Sequence, residues 1–340
     1  MENIFPSGQH HTLVCHGLRR TGKSSLLYQI EKRGLSDKRL VPINIDMQGI
    51  SDEIDFYSTL SEKIITRLNL TSIEPVNNFG DFKRFIKETA SLSGDKVIVL
   101  MLDEFEELQM RVEEKRIDRT IFSNIRHLMQ HDDHIIFLFC GTHKIEEMQA
   151  DYWSIFFNTA IYKRIGNLPE EDAIRLIREP VAENLNYDDL AVDYILTMTG
   201  CQPYLIQLVC RTIINQLNHS KKRNDVLVND VDDAVAEIFS EDNDNFSKEA
   251  WGNSGYLERM ILSAAAELLT YQILEQVNQE EILSKLVPLM ENFSRENALD
   301  TLDKLVYSEI LTEKSQNYRF TVNMMRQWIA TRHPLRKVRK

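Results

Sequence analysis

Residues 17–24 have the types and spacing of a phosphate-binding loop. They read GLRRTGKS and match the pattern G-x-x-x-x-G-K-[ST]. The two glycines let the backbone turn so that successive amide groups point into one anion-binding nest at a helix N-terminus. We expect Lys23 to contact the β- and γ-phosphates and the Ser24 hydroxyl to bind Mg²⁺. The pattern predicts these nucleotide-contacting residues: Gly17, Arg20, Thr21, Gly22, Lys23, Ser24 and Ser25.

An acidic pair follows the most aliphatic run of the chain. Residues 97–102 read VIVLML and are followed by Asp103 and Glu104. A buried parallel strand delivers its first polar residues at the carboxyl edge of the sheet, where a neighbouring phosphate-binding loop lies. We predict that Asp103 holds Mg²⁺, directly or through water, and that Glu104 activates the attacking water as a general base. The alternative is an acidic helix start, and both interpretations can hold together.

Two polar residues also follow the apolar run 135–140, which predicts a second buried strand. Thr142 and His143 come directly after Gly141. When a strand lies between the strand before the phosphate-binding loop and the strand before the acidic pair, a polar residue at its end can sense the γ-phosphate. We predict this role for Thr142 or His143, and the alternative is a plain strand-end turn. A guanine-specific site would carry Asn-Lys-x-Asp after a strand, but residues 142–146 read THKIE. The pattern therefore favours ATP or ADP as the nucleotide.

These residues need a parallel sheet to bring them together, and the first half of the chain predicts one. Strand patterns alternate with helix patterns, which is typical of a doubly wound α/β fold. Pro42 in the second strand indicates a sheet edge, because proline cannot donate to a ladder. The predicted strands are 12–16, 40–46, 97–103, 135–140 and 160–165, and the predicted helices are one starting near 22, 54–68, 81–90 and 117–129.

From Leu168 onward the patterns are helical, at 170–178, 188–199, 203–217 and 229–240. After an acidic stretch come three more helices, the last with Ser294 as its N-cap, and a hairpin around 315–317. Three helices and a hairpin indicate a winged helix. We predict a P-loop ATPase domain at 1–167, an all-α lid at 168–240, a linker at 241–254, a winged-helix domain at 255–335 and a basic tail at 336–340.

Charge and composition restrict the partners. The net charge is −12, and the predicted recognition helix after Ser294 carries more acidic than basic residues. Phosphate contacts require a basic surface, so we expect no DNA binding and interpret the winged helix as a clamp on the ATPase. The basic tail is interpreted as a solvated end. The longest apolar runs are too short to span a bilayer, and no membrane association is expected.

The spacing of the cysteines and histidines does not predict a metal site. The four cysteines form no C-x-x-C pair, and a reducing cytoplasm fits them. Cys15 and Cys140 lie in apolar strand runs and are interpreted as small buried side chains. His127 and His131 have the i, i+4 spacing of metal ligands, but imidazoles near a helix C-terminus are favourable without a metal.

Four segments together resemble the STAND class of signal-transduction NTPases among the AAA+-like P-loop proteins. They are residues 17–25, 97–108, 137–143 and 199–210, and the predicted winged helix follows them. The resemblance spans nearly the whole chain. It implies a slow regulatory ATPase whose nucleotide state controls domain arrangement and oligomerisation, in bacterial defence or signalling, with an effector as partner.

The same resemblance implies that Pro203, in the lid segment GCQP, packs on the adenine, although a proline that merely starts a helix fits equally.

Two features depart from the family. Only sixteen residues precede Gly17, so we expect either a fragment or an incomplete base pocket, and no Met-His-Asp element occurs in the winged helix. Arg164 or Arg178 is a possible arginine finger, with ordinary salt bridges as the alternative.

Two other functions stay open. The first is a DNA-binding AAA+ initiator or transcription regulator that uses the winged helix. The second is a nucleotide-binding scaffold without turnover.

Overall fold

The computed structural model describes residues 12–94, 96–142, 160–220, 223–240, 251–252, 254–271 and 276–338. The chain divides into two units, residues 1–166 and residues 167–340. Each unit has its own hydrophobic core.

The first unit is built on five parallel strands in the order β2-β3-β4-β1-β5. Strand β4 therefore lies between the strand before the phosphate-binding loop and the strand before the acidic pair, as the sequence predicts. Strand β2, which contains Pro42, is an edge strand, as predicted. The strands are β1 Leu13–His16, β2 Leu40–Asp46, β3 Val97–Asp103, β4 Ile135–Gly141 and β5 Ile161–Arg164.

Helices cover both faces of this sheet because its strands are apolar on both sides. Along β3, Leu100 faces one core and Met101 faces the other. Leu27 and Ile30 of the first helix pack into the second of these cores. The helices are α1 Lys23–Arg33, α2 Glu53–Leu68, α3 Phe79–Ser93, α4 Glu106–Glu113 and α5 Thr120–His131.

The second unit is mainly helical. Its helices are α6 Glu170–Arg178, α7 Asp189–Thr199, α8 Pro203–Ser220, α9 Val228–Ser240, α10 Tyr256–Tyr271, α11 Gln279–Leu286, α12 Arg295–Tyr307, α13 Asn323–Arg332 and α14 Leu335–Val338. Its short strands are β6 Asn186–Tyr187, β7 Asp225–Val226, β8 Val277–Asn278, β9 Leu311–Lys314 and β10 Asn317–Phe320. Strand β6 pairs with β7 in parallel, and the other three form an antiparallel sheet in the order β8-β10-β9.

The predicted order of three helices and a hairpin is present as α10, α11, α12 and β9–β10. Ser294 caps α12, because its side chain accepts a hydrogen bond from the Asn297 amide. Strand β8 and helix α13 were not predicted. The assignment of this segment as a winged-helix domain, and the boundaries of lid, linker and tail, stay predictions. One hydrophobic cluster contains buried residues from Ala173 to Leu335, so both parts of the unit contribute to it.

The predicted linker is described only at its end. Residues 241–250 and 253 lie outside the described residues. Trp251 is 8% exposed, and its ring stacks on His333 at a centroid distance of 4.3 Å. Trp251 therefore packs into the core of the second unit. Over the described part of the chain, no helix is long and apolar enough to cross a membrane.

Candidate functional site

The loop between β1 and α1 has the backbone that its glycines predict. Gly22 has a φ of 95° and precedes the first residue of α1. Arg20 also has a positive φ, 68°, so the chain turns sharply twice before the helix begins. The Thr21 hydroxyl donates to the Leu18 carbonyl at 2.9 Å. At the start of the loop, a Cβ added to Gly17 would lie 1.9 Å from the Ile165 carbonyl oxygen, so only glycine fits there.

Lys23 is buried and folds back over this loop. Its Nζ donates to the carbonyl oxygens of Gly17 at 3.0 Å and of Leu18 at 2.9 Å. A lysine that is 4% exposed needs such partners, because burial of an unpaired ammonium costs several kcal/mol. Ser24 and Ser25 follow on the first turn of α1 and are exposed. The loop thus holds a cation beside two exposed serines.

The acidic pair lies at the carboxyl end of β3, as predicted. Asp103 is 6% exposed, and one of its carboxylate oxygens accepts the amide of Glu104 at 3.1 Å. Glu104 has a φ of 51°, which is uncommon for a residue with a side chain and concentrates at functional sites. Burial raises the pKa of Glu104 to about 7, and the charge of Glu106 and a hydrogen bond with it add to the effect, while Lys23 opposes it.

Sequence reasoning missed Glu106. The Thr142 amide and hydroxyl both donate to the same oxygen of Glu106, at 2.9 Å and 2.6 Å. Burial alone would raise the pKa of Glu106, but the two bonds from Thr142 and further hydrogen bonds hold it below its usual value. Glu106 belongs to the acidic run after β3, which was interpreted only as a helix start. That interpretation is also right, since α4 begins at Glu106.

The sheet brings the predicted residues of the first unit to one edge. Strand β4 pairs with both β1 and β3, with Cys15 opposite Cys140 and Asp103 opposite the same Cys140. The Gly17 amide donates to the Gly141 carbonyl at 3.3 Å, which joins the start of the loop to the end of β4. The phosphate-binding loop, the acidic pair and Thr142 therefore lie at adjoining strand ends.

Two predicted site residues are not part of this group. His143 lies outside the described residues. Pro203 belongs to the second unit, where it is the first residue of α8. Its proposed contact with adenine stays a prediction. Of the two candidate arginine fingers, Arg178 forms an ion pair with Asp189, and Arg164 is an exposed residue of β5.

The remaining ligand-like residues have ordinary surroundings. The rings of His127 and His131 stack at a centroid distance of 4.7 Å, and a His131 ring nitrogen hydrogen-bonds with the His127 carbonyl. Within the described ranges, no group of three or more His, Cys, Asp or Glu side chains could hold a metal ion. Cys15 and Cys140 are buried free thiols, and burial raises the pKa of both.

Comparisons with known proteins identify the fold. No family model and no curated protein matches the sequence. The structure is similar to a Walker-type ATPase of Pyrococcus abyssi, with a TM-score of 0.63 and 12% identity over 94% of this chain and 90% of that one. It is also similar to the ORC2 protein of Aeropyrum pernix (TM-score 0.61, 12% identity, 96% and 89% covered). Cdc6p of Pyrobaculum aerophilum is a third neighbour (TM-score 0.51, 14% identity, 98% and 89% covered).

The predicted fold class is confirmed. The chain has an α/β P-loop NTPase fold, with a parallel five-stranded sheet between helices and a helical region after it. The likeness extends over most of both chains, so it includes the helical unit as well as the sheet.

Proposed function

We propose that this chain is an ATPase that binds ATP with Mg²⁺ and hydrolyses it slowly, as a regulatory step. The observation that carries the proposal is the meeting of three groups at one sheet edge. These are the nest with Lys23, the acidic pair Asp103–Glu104, and Thr142. A phosphate needs the first group, a metal and a water need the second, and the third can report on the γ-phosphate.

Lys23 would exchange partners when nucleotide binds. Its ammonium now donates to the carbonyl oxygens of Gly17 and Leu18, and phosphate oxygens would replace these acceptors with charged ones. The backbone amides of residues 21–25 and the hydroxyls of the exposed Ser24 and Ser25 would hold the remaining phosphate oxygens. Adenine is favoured over guanine on the sequence alone, with Pro203 as the proposed base contact.

The residues present fit Mg²⁺ only together with a nucleotide. The Ser24 hydroxyl and the Asp103 carboxylate are the proposed protein ligands. Mg²⁺ usually binds through one or two protein oxygens, substrate phosphates and water. Bound Mg²⁺ would neutralise phosphate charge, and Glu104 would orient and deprotonate the attacking water.

Two substitutions test the proposal. Lys23→Ala should weaken ATP binding by at least about tenfold, or about 1.4 kcal/mol. Glu104→Gln should keep the ATP affinity but lower the rate of phosphate release about 100-fold, because it removes only the base. Lys32→Ala, a change of an exposed lysine of the same helix, is the matched control and should change neither quantity. Affinity is measured by calorimetry and turnover by phosphate release.

Unchanged ATP affinity in the Lys23→Ala protein would contradict the proposal. Binding without any turnover in the unmodified protein would instead favour the scaffold without hydrolysis.

The output of the ATPase has two candidates. A STAND-type switch, which controls oligomerisation or an effector in bacterial defence or signalling, is supported by the sequence motifs. A DNA-binding initiator is supported by the neighbours of Orc and Cdc6 type, whose likeness covers nearly the whole chain. These neighbours favour the initiator and weaken our expectation that DNA is not bound.

A DNA-binding role would use the hairpin more than the predicted recognition helix. Arg295 of α12 forms an ion pair with Glu280, so its charge is already compensated. The hairpin carries the exposed residues Lys314 and Arg319 on either side of its turn. A salt titration of DNA binding distinguishes the two outputs.

A further inference from the structure

Glu106 connects two parts of the site that lie far apart in sequence. Its Oε1 accepts both the amide and the hydroxyl of Thr142. Its other oxygen, Oε2, is buried without an amide or hydroxyl donor among the described residues. Burial and then the charge of Glu106 raise the pKa of Glu104, and the second effect places the two carboxyl groups close together. One side chain therefore bonds to the proposed γ-phosphate sensor and lies beside the proposed base.

The position of Glu106 is sterically defined. A Cβ on Gly141 would lie 2.0 Å from Glu106 Oε2 and 2.7 Å from the Phe105 ring. Phe105 is 1% exposed and packs edge-on against Phe139 of β4 at 5.8 Å. Glu106 thus approaches the end of β4 where only a glycine leaves room, and the ring of the preceding residue is held by the same strand.

An ordinary acidic residue at a helix start does not explain these contacts. Such a residue interacts with the first amides of its own helix or stays in solvent. Glu107, the next residue, behaves in an ordinary way, since it pairs with Arg111 of the same helix at 3.3 Å. Glu106 instead bonds to a residue 36 positions later in the chain.

We propose that Glu106 is a positioning residue that couples Thr142 to Glu104. This inference rests on the proposed ATPase function. Thr142 cannot turn its hydroxyl to a γ-phosphate without breaking one of its two bonds to Glu106, and a movement of the Glu106 carboxylate changes the electrostatic surroundings of Glu104. The presence of the γ-phosphate is thereby transmitted to the residue that activates water.

Steady-state kinetics with MgATP test the coupling. For Glu106→Ala, kcat should fall about 10-fold to 100-fold, while KM stays within about twofold, because the phosphate-binding loop is intact and only the alignment of the base is lost. Glu106→Gln should recover most of kcat, since its amide oxygen can accept from Thr142 and its amide nitrogen can donate to Glu104. Glu107→Ala is the matched control and should leave both constants unchanged.

A double-mutant cycle tests the route. Thr142→Val removes the hydroxyl at nearly constant volume. If Glu106 acts with Thr142, the combined Thr142→Val and Glu106→Ala protein should have the kcat of the Glu106→Ala protein rather than the product of two losses. Multiplicative losses, or a kcat for Glu106→Ala equal to that of the unmodified protein, would overturn the proposal.

Hydrogen exchange tests the coupling of Glu106 to Thr142 without depending on ATP hydrolysis. The Thr142 amide should exchange faster in Glu106→Ala than in the unmodified protein, and Thr142→Val should raise exchange in residues 103–107. Equal exchange in all three proteins overturns the coupling even if the unmodified protein hydrolyses ATP. Changed exchange with no ATP turnover would instead support the link and contradict the ATPase proposal.

Discussion

Lys23 and Glu104, the two charged residues that the proposed reaction uses most directly, are each held by close neighbours. Two loop carbonyls accept from the Lys23 ammonium, whereas burial and the charge of Glu106 raise the pKa of Glu104. The arrangement at Lys23 leaves its ammonium ready to exchange partners when an anion enters. A buried charge needs hydrogen bonds in every state, so the loop carbonyls satisfy Lys23 until phosphate oxygens replace them.

Gly17 sets how closely the loop approaches β5, and its replacement is predicted to be costly. Gly17→Ala would bring a Cβ to 1.9 Å from the Ile165 carbonyl oxygen, which is backbone and cannot move away alone. We expect a loss of about 1–3 kcal/mol in the free energy of unfolding, as for other overpacked sites. Denaturant unfolding measures it.

Gly49→Ala is the control for this change. Gly49 has no neighbouring atom within 4 Å of an added Cβ and no positive φ, so its replacement should be neutral or slightly stabilising. Equal effects of the two substitutions would contradict the proposed close approach at Gly17.

The elements of the first unit follow closely from local patterns. Strands β2 and β3 have the predicted bounds, and α2 begins one residue before its prediction. These segments were predictable because a strand buried on both faces is a continuous apolar run and a helix has a 3.6-residue period. Helix α4 was foreseen only as an acidic start, since its eight residues are too few for a clear period.

The second unit contains an element contact that no local pattern indicates. Trp251 stacks on His333 and lies edge-on to Trp328 of α13 at 6.2 Å. Arg259 of α10 donates to the Trp251 carbonyl at 3.0 Å. An acidic, poorly periodic stretch predicts a linker or surface loop, but Trp251 near its end contacts residues of α10 and α13. The large aromatic area of Trp251 explains why it is buried there.

Trp251→Ala is therefore expected to lower the free energy of unfolding by about 3–5 kcal/mol, the usual range for a buried tryptophan. Differential scanning calorimetry of the whole chain measures the change. Tyr256→Ala is the control, because Tyr256 is 50% exposed and its loss should cost less than about 1 kcal/mol. A Trp251→Ala protein as stable as the control would show that this packing contributes little.

At the scale of the whole molecule, the net charge and the proposed initiator function make opposite demands. The net charge of −12 opposes DNA binding, whereas the proposed initiator function requires it. A protein with this net charge can bind DNA only if its basic residues are concentrated on one surface. The hairpin β9–β10 is the place in the described second unit where we expect such contacts.

DNA binding should accordingly be weak and strongly salt-dependent. Each phosphate contact contributes about −0.9 to the slope of log K against log salt. Lys314→Ala should reduce the magnitude of that slope by about 1 in a fluorescence-anisotropy titration of duplex DNA. Lys285→Ala is the control, since Lys285 already pairs with Glu267 at 2.9 Å. No binding at low salt would leave the regulatory switch as the proposed output.

The sequence by itself determined the phosphate-binding loop, the acidic pair, the strand runs and the alternation that predicts a parallel sheet. All of these depend on residues that are close together in the chain. Their spacing and polarity predict the local structure directly. Only the tertiary structure decided that Lys23 folds onto the carbonyls of its own loop and that Glu106 bonds to Thr142. The second contact joins residues on different elements, and its geometry depends on the register of β3 and β4, which no local pattern contains.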